Sequence, residues 1–429
     1  NGVVLITTKK GEDGATKISF NGTVGIAQIA KRYEMMNSLE FLRINRIAYE
    51  NANKVWPGEP AQGQVLVNTD WQDEFYKTGI TKDYNLNVSG GNKNGRYMFS
   101  FDMYNEDGTV IGPFHNRLTM RSNTEVKKGI FTVGENIMIG HSETKTLEGN
   151  PFIDLARMPP IIPVRNPDNP EEYGFGSSSY QTYGTNPVGL QETRDNRQYN
   201  LRIIGSAFLQ IEPVKDLQLK TNVGIEYFNW FDKSKTVYKQ LRYLSTSQYK
   251  DELYEANGAM QSWLWENTAF YKKSIDDHNF DVLLGYSAQL KERRGNNVRG
   301  YDLTQEGFWV LDRVSKEAGS SPAIGGSNNA VAMTSLIGRI NYNYADRYLL
   351  QLNVRRDGSS LFGENYRYGV FPGLSAGWRV SGEDFMQSQD WINDLKIRLS
   401  YGKSGNQNAV PAYQYATYIA SGDRVGIYG

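Results

Sequence analysis

Three histidines, His115, His141 and His278, are the first residues to test for chemistry. A metal site needs several His, Cys or carboxylate groups converging on one ion. These three are far apart, no HExxH pair occurs, and the chain has no cysteine. Neither a metal nor a thiolate cofactor is expected. The neighbouring carboxylates Glu171-Glu172 and Asp276-Asp277 sit in turn-like stretches and read as solvated faces rather than an acid/base pair. Gly402-Lys403-Ser404 resembles the tail of a phosphate-binding loop. The glycine needed five positions earlier is Ile397, so that motif fails. There is no GxSxG and no nucleophile paired with a base. The residue types argue against an enzyme.

Aromatics remain as the candidate binding groups. Tyr173, Phe175, Tyr180 and Tyr183 lie in one long irregular stretch, and Tyr227, Phe228, Trp230 and Phe231 lead into another. Flat apolar rings with polar edges suit the CH faces of sugars, with nearby Asn, Asp and Arg for hydroxyls. The competing reading is that they pack the loops together or form an aromatic girdle.

The elements that must carry these loops announce themselves by alternation. Ile340, Tyr342 and Tyr344 alternate with Arg339, Asn341 and Asn343. After an Ala345-Asp346-Arg347 corner, Tyr348, Leu350, Leu352 and Val354 alternate with Leu349, Gln351, Asn353 and Arg355. Strand side chains point to opposite faces in turn, so this is a hairpin with one apolar and one polar face. The same period recurs from Ile18 to Tyr401 and predicts thirteen strands. The connections after even-numbered strands are mostly short, as at 90–95, 213–216, 274–278 and 345–347. Those after odd-numbered strands include four long excursions, about 30–80, 142–197, 229–259 and 292–330. The connections at 106–114 and 381–393 fit this parity least well. Within the first excursion, Asn37-Ser38-Leu39-Glu40 is a capping box and predicts a helix.

Short turns on one rim and long loops on the other predict an all-β, transmembrane antiparallel β-barrel. Lys, Arg, Asn, Gln and Ser on the second face would be costly in a packed core but not in an aqueous lumen. A spanning strand needs only about 9–11 residues, so a mean hydropathy of −0.57 does not oppose this reading. Aromatics at 13% and 43 glycines suit a β-rich chain with many turns. Forty-seven basic residues balance 47 acidic ones, which argues against nucleic acid as a partner. The apolar run Val3–Lys9 reads as a strand buried on both faces, part of a different globular piece. Thirteen is an odd number for a single-chain bacterial barrel, so the barrel is expected to continue beyond this sequence.

The segments placed on strands and loops carry a resemblance. NGVVLITTKKG, Asn1–Gly11, looks like the end of the plug domain of SusC/RagA-family TonB-linked outer-membrane proteins of Bacteroidetes. Asp70-Trp71-Gln72-Asp73 and YNLNVSGG at 84–91 continue the match. MPPIIPV at 158–164 resembles the family's proline-rich loop, and Thr185-Asn186-Pro187 the segment before its next strand. RRDGSSLFG at 355–363, Phe371-Pro372-Gly373, Gly377-Trp378-Arg379 and LSYGKSGN at 399–406 complete it.

The resemblance implies a plugged barrel of about 22 strands, of which this chain holds about thirteen. Residues 1–11 would end the plug and 12–429 would be partial barrel. It implies a bacterial outer-membrane location and uptake of glycan or peptide fragments. It implies a SusD-like surface lipoprotein and drive from TonB–ExbB–ExbD, through a TonB box that this sequence lacks. Arg356, Asp357, Gly358, Phe371, Pro372 and Trp378 are expected to be structural, with Asp357-Gly358 in a turn and Asp357 paired to Arg355 or Arg356. The alternatives are a siderophore receptor, an outer-membrane hydrolase and a passive adhesin.

Overall fold

The computed structural model describes residues 11–58, 66–177, 180, 182–243, 250–303, 307–317, 322–386, 389 and 391–407. The expected plug strand Val3–Lys9 lies outside the described residues. Thirteen strands form one antiparallel sheet in strict chain order. They are β1 Gly14–Ala27, β2 Gly79–Asn92, β3 Gly95–Asp107, β4 Phe114–Lys128, β5 Phe131–Lys145, β6 Arg194–Val214 and β7 Leu217–Thr236. The sheet continues through β8 Glu252–Ile275, β9 His278–Tyr301, β10 Ala323–Tyr344, β11 Tyr348–Ser359, β12 Tyr368–Arg379 and β13 Lys396–Gly402. Among the described residues β1 and β13 do not pair with each other.

The register keeps the two faces distinct. On one face Ile211, Leu219, Ala269, Leu284 and Gly338 stand in a row across β6–β10. Large apolar side chains there are exposed, Phe20 by 66% and Leu284 by 60%. An exposed apolar band of this extent requires a nonaqueous neighbour, and alternation across a barrel wall supplies lipid. The opposite face carries ion pairs, including Arg96–Glu125 at 2.6 Å, Arg202–Glu226 at 2.6 Å and Arg355–Asp357 at 2.6 Å. No helix among the described residues is long and apolar enough to cross a membrane.

The parity of connections holds. Residues 93–94, 129–130, 215–216, 276–277 and 345–347 close one rim. Asp216, Asp276, Ala345 and Asp346 take positive φ there, which matches the twist of tight hairpins. The exception is 380–395, which runs through two 3-10 turns, Val380–Gly382 and Asp384–Met386. Glu383 holds it. Its carboxylate accepts from Trp378 Nε1 at 2.9 Å and Arg347 Nη1 at 3.1 Å, and the Tyr348 hydroxyl also bonds to it.

Two expected loops are shorter than the alternation suggested. The excursions at 229–259 and 292–330 shrink to 237–251 and 302–322 because β7–β10 stay paired past the apolar band. Trp230 and Phe231 therefore lie in strand β7, opposite Asn200 and Tyr199. Outside lipid the outward position no longer has to be apolar, so the ladder outlasts the pattern. At about 3.3 Å per residue, a strand of 24 residues such as β8 or β9 is roughly 79 Å long, well beyond one crossing.

Several glycines exist because a neighbouring ring occupies their side-chain space. A Cβ on Gly258 would sit 2.2 Å from Trp230 Cζ2, and one on Gly134 2.5 Å from Phe208 Cε1. The Asp357-Gly358 turn expectation fails for the same reason. Both residues are in β11, and a Cβ on Gly358 would meet Tyr368 Cε1 at 2.4 Å. Gly258→Val in the complete receptor should displace Trp230 and lower barrel stability by about 1–3 kcal/mol. The heat needed to unfold the barrel in detergent measures this, and an unshifted midpoint would refute the packing account.

Candidate functional site

The long connections gather on one rim and build a core of their own. Trp71, Phe75, Val110, Leu155, Met158, Ile162 and Val188 form the main buried apolar cluster. They come from three different connections, 28–78, 108–113 and 146–193. The capping box is present at the start of α1, Ser38–Asn51. Helix α2, Trp71–Phe75, is capped by Asp70, whose Oδ1 accepts from the Gln72 and Asp73 amides. Arg32 ties down that turn through Asp70 at 3.1 Å and Asp73 at 2.5 Å. Trp71 Nε1 then donates to the Pro159 carbonyl at 3.0 Å, just past helix α3, Pro151–Arg157. The Asp-Trp and Met-Pro-Pro motifs thus meet in space.

Asn186 joins the third motif to them. It is fully buried and caps helix α4, Pro187–Glu192, by accepting from the Gly189 amide at 2.9 Å. Its Nδ2 donates to the Val164 and Gly174 carbonyls, each at 2.9 Å. One side chain closes three backbone groups that water cannot reach.

The six candidate aromatics separate in this frame. Tyr173 is buried, with Arg165 stacked over its ring at 4.4 Å and its hydroxyl donating to Glu192 at 2.8 Å. Burial, and then the Glu192 carboxylate, push its phenol up to about 12. Tyr180 donates to the Gly58 carbonyl and so bridges two excursions. Phe175 is half-buried, and Tyr183 is 80% exposed. Phe231 stacks on Tyr199 on the apolar side. Trp230 is on the polar side, stacked on Phe228 at 5.8 Å. These residues do not converge on one pocket.

The motif residues near β11 and β12 take distinct places. Asp357 pairs with Arg355 on the polar face, whereas Arg356 stacks on Tyr368 at 4.4 Å on the apolar face. Phe371 covers Gly369 and Gly405, where a Cβ would lie within 2.8 Å and 2.5 Å of its ring. Pro372 accepts the Lys403 amide at 3.0 Å. Its missing N–H faces that same neighbour, just past the end of β13. Trp378 holds Glu383. Asn before Pro187 is a helix-start signal that could have marked Asn186 as a cap, whereas the role of Glu383 carries no sequence signal beyond its polarity.

Among the described residues no group of three His, Cys, Asp or Glu side chains could hold a metal ion. What the rim offers is a polar wall rising from the sheet beside a packed set of loops. Asn186→Ala should cost the loop core roughly 2–3 kcal/mol. Proteolytic cleavage within 146–193 should then accelerate while the barrel stays folded, and an unchanged cleavage rate would contradict the role given to Asn186.

No family model matches the chain. Among curated proteins, it is similar to the TonB-dependent receptor SusC of Bacteroides thetaiotaomicron, 28% identical over 450 residues, covering 97% of this chain and 42% of that one. A TonB-dependent receptor of Formosa agariphila is 28% identical over 428 residues, covering 96% and 40%. The chain therefore spans about 40% of the length of the curated relatives it matches. Among solved structures, the RagAB peptide importer in its open-open state aligns with a TM-score of 0.81 at 22% identity, over 98% of this chain and 50% of that one. The closed-closed state gives 0.74, over 92% and 48%. The thirteen-stranded sheet thus overlays about half of such a barrel. TonB-dependent receptors reside in the bacterial outer membrane, where an apolar outer band is required. Over nearly its whole length, this chain is similar to SusC/RagA-type TonB-dependent receptors in sequence and in fold.

Proposed function

We propose that the chain is the greater part of the barrel wall and vestibule of a TonB-dependent importer of nutrient oligomers, either glycan or peptide fragments. The observation that carries this reading is the sheet itself. It has a lipid-ready apolar face, a wet face with ion pairs, and three of its connections packed together on one rim. That build suits an aqueous path that opens into a shaped mouth. Similarity to receptors supports transport rather than hydrolysis. No feature of the rim favours a ferric chelate or an adhesin.

The RagAB comparison supports a SusD-like surface lipoprotein as partner, seated over the packed loops. Residues 1–11 would end a plug, and drive would come from TonB–ExbB–ExbD. Exposed rim aromatics such as Tyr183 would contact ligand or lipoprotein, whereas Tyr173 would hold the loops in shape.

Deleting tonB, or the receptor gene, should abolish uptake of a labelled oligosaccharide or oligopeptide pool by the native bacterium. Comparing the two pools assigns the substrate class. Oligomer uptake that survives loss of the receptor, or rescue by ferric chelates alone, would overturn this proposal.

A further inference from the structure

Among the described residues several polar-face cations have a carboxylate at ion-pair distance, as in Arg96–Glu125 and Arg202–Glu226, whereas Arg121, Lys220, Arg339 and the two β9 neighbours Lys291 and Arg293 do not. Lys291 and Arg293 are two apart and project from the same face. Directly opposite Arg293 are Met260 and Asn329, and opposite Lys291 are Ser262 and Val331. The diagonal neighbours Gly258, Leu264, Ser327 and Met333 also carry no charge. The nearest carboxylates on that side of β7 are Glu226 and Asp232, a full strand further away, and Glu226 is held by Arg202. Two like charges side by side repel each other, and an anion drawn between them relieves that repulsion.

Arg293 is also held in position. Its guanidinium stacks over Trp230 at 5.1 Å. Trp230 in turn lies against two glycines, since a Cβ would stand 2.2 Å away on Gly258 and 3.2 Å away on Gly295. The ring's far side is thus wall, and its near side is covered by the cation. Such a stack leaves the fork of N–H donors free for a planar anion. Arg293 is the sixteenth residue of β9 counted from the short-turn rim, which puts it at the level of the vestibule rather than of the lipid band. Asn297, Asn329 and Ser262 supply neutral hydrogen-bonding groups around the pair.

We infer that Lys291 and Arg293, with Arg293 set on Trp230, form a carboxylate-recognition site that biases the vestibule toward anionic oligomers. This rests on the import reading above. The shared chemistry is a carboxylate on an oligomer, from either a uronic-acid glycan or the free end of a peptide.

The test uses the complete receptor in its native membrane. Four probes are compared: a uronic-acid oligosaccharide and its carboxyl-reduced neutral form, and a peptide with a free C-terminus and its C-terminal amide. The wild type should prefer one anionic probe over its neutral counterpart, and that preference should weaken with salt. The double variant Lys291→Gln/Arg293→Gln should lower the anionic-to-neutral ratio by roughly tenfold. Arg294→Gln, on the opposite face of the same strand, should keep it. Detergent heat-unfolding confirms that each variant barrel is folded. Import that is blind to charge, or a double variant with the wild-type ratio, would overturn the site while leaving import standing. If the wild type takes up none of the probes, and no other oligomer in a TonB-dependent manner, both readings fall.

Discussion

Everything in this molecule depends on one unbroken antiparallel ladder. In lipid no water is present to satisfy a free amide or carbonyl, so each strand must bond to its neighbours along its whole buried length. Register shifts occur only near the rims, between Gly14 and Lys17 and between Ile211 and Val214. Elsewhere a one-residue slip would move every apolar side chain from lipid to water. The ladder therefore sorts the side chains, and the sorting defines the two faces. With the exception of 380–395, it also delivers the long connections to the same rim, where three of the connections pack together.

That packing converts loops into structure. The Asp-Trp, Met-Pro-Pro and Asn-Pro segments are irregular taken singly. Together they place Trp71 and Met158 in one buried cluster, with Trp71 bonded to the Pro159 carbonyl and Asn186 bonded to the carbonyl of Val164, which packs against that cluster. The rim is thereby a shaped surface, and its polar wall on β6–β10 meets it without a break in pairing.

The strands inside the lipid band were legible because a period of two survives wherever one neighbour is hydrocarbon and the other is water. Thirteen strands and the rim parity follow from that alone. Above the band the period is lost, and Trp230 and Phe231 looked like loop residues although their ladder bonds continue. The Asp357-Gly358 pair looked like a turn because turns and ring-covered strand positions both select glycine. Only the register, which places Tyr368 opposite, tells them apart. The loop core left no local trace, since Trp71 and its carbonyl partner are 88 residues apart. The Arg293–Trp230 stack was hidden likewise: its Trp, its glycines and its uncharged neighbours come from four different strands.

The length of β6–β10 divides one sheet into two physical regimes. In its lower part a broken backbone bond has no substitute, so the pairing there is permanent on any functional timescale. In its upper part each broken bond can be replaced by water, so the same sheet can open and reclose locally at small cost. The wall is thus a fixed sleeve continued upward as a breathing collar. Anything approaching from the loop rim would meet the part that can yield before it reaches the part that cannot.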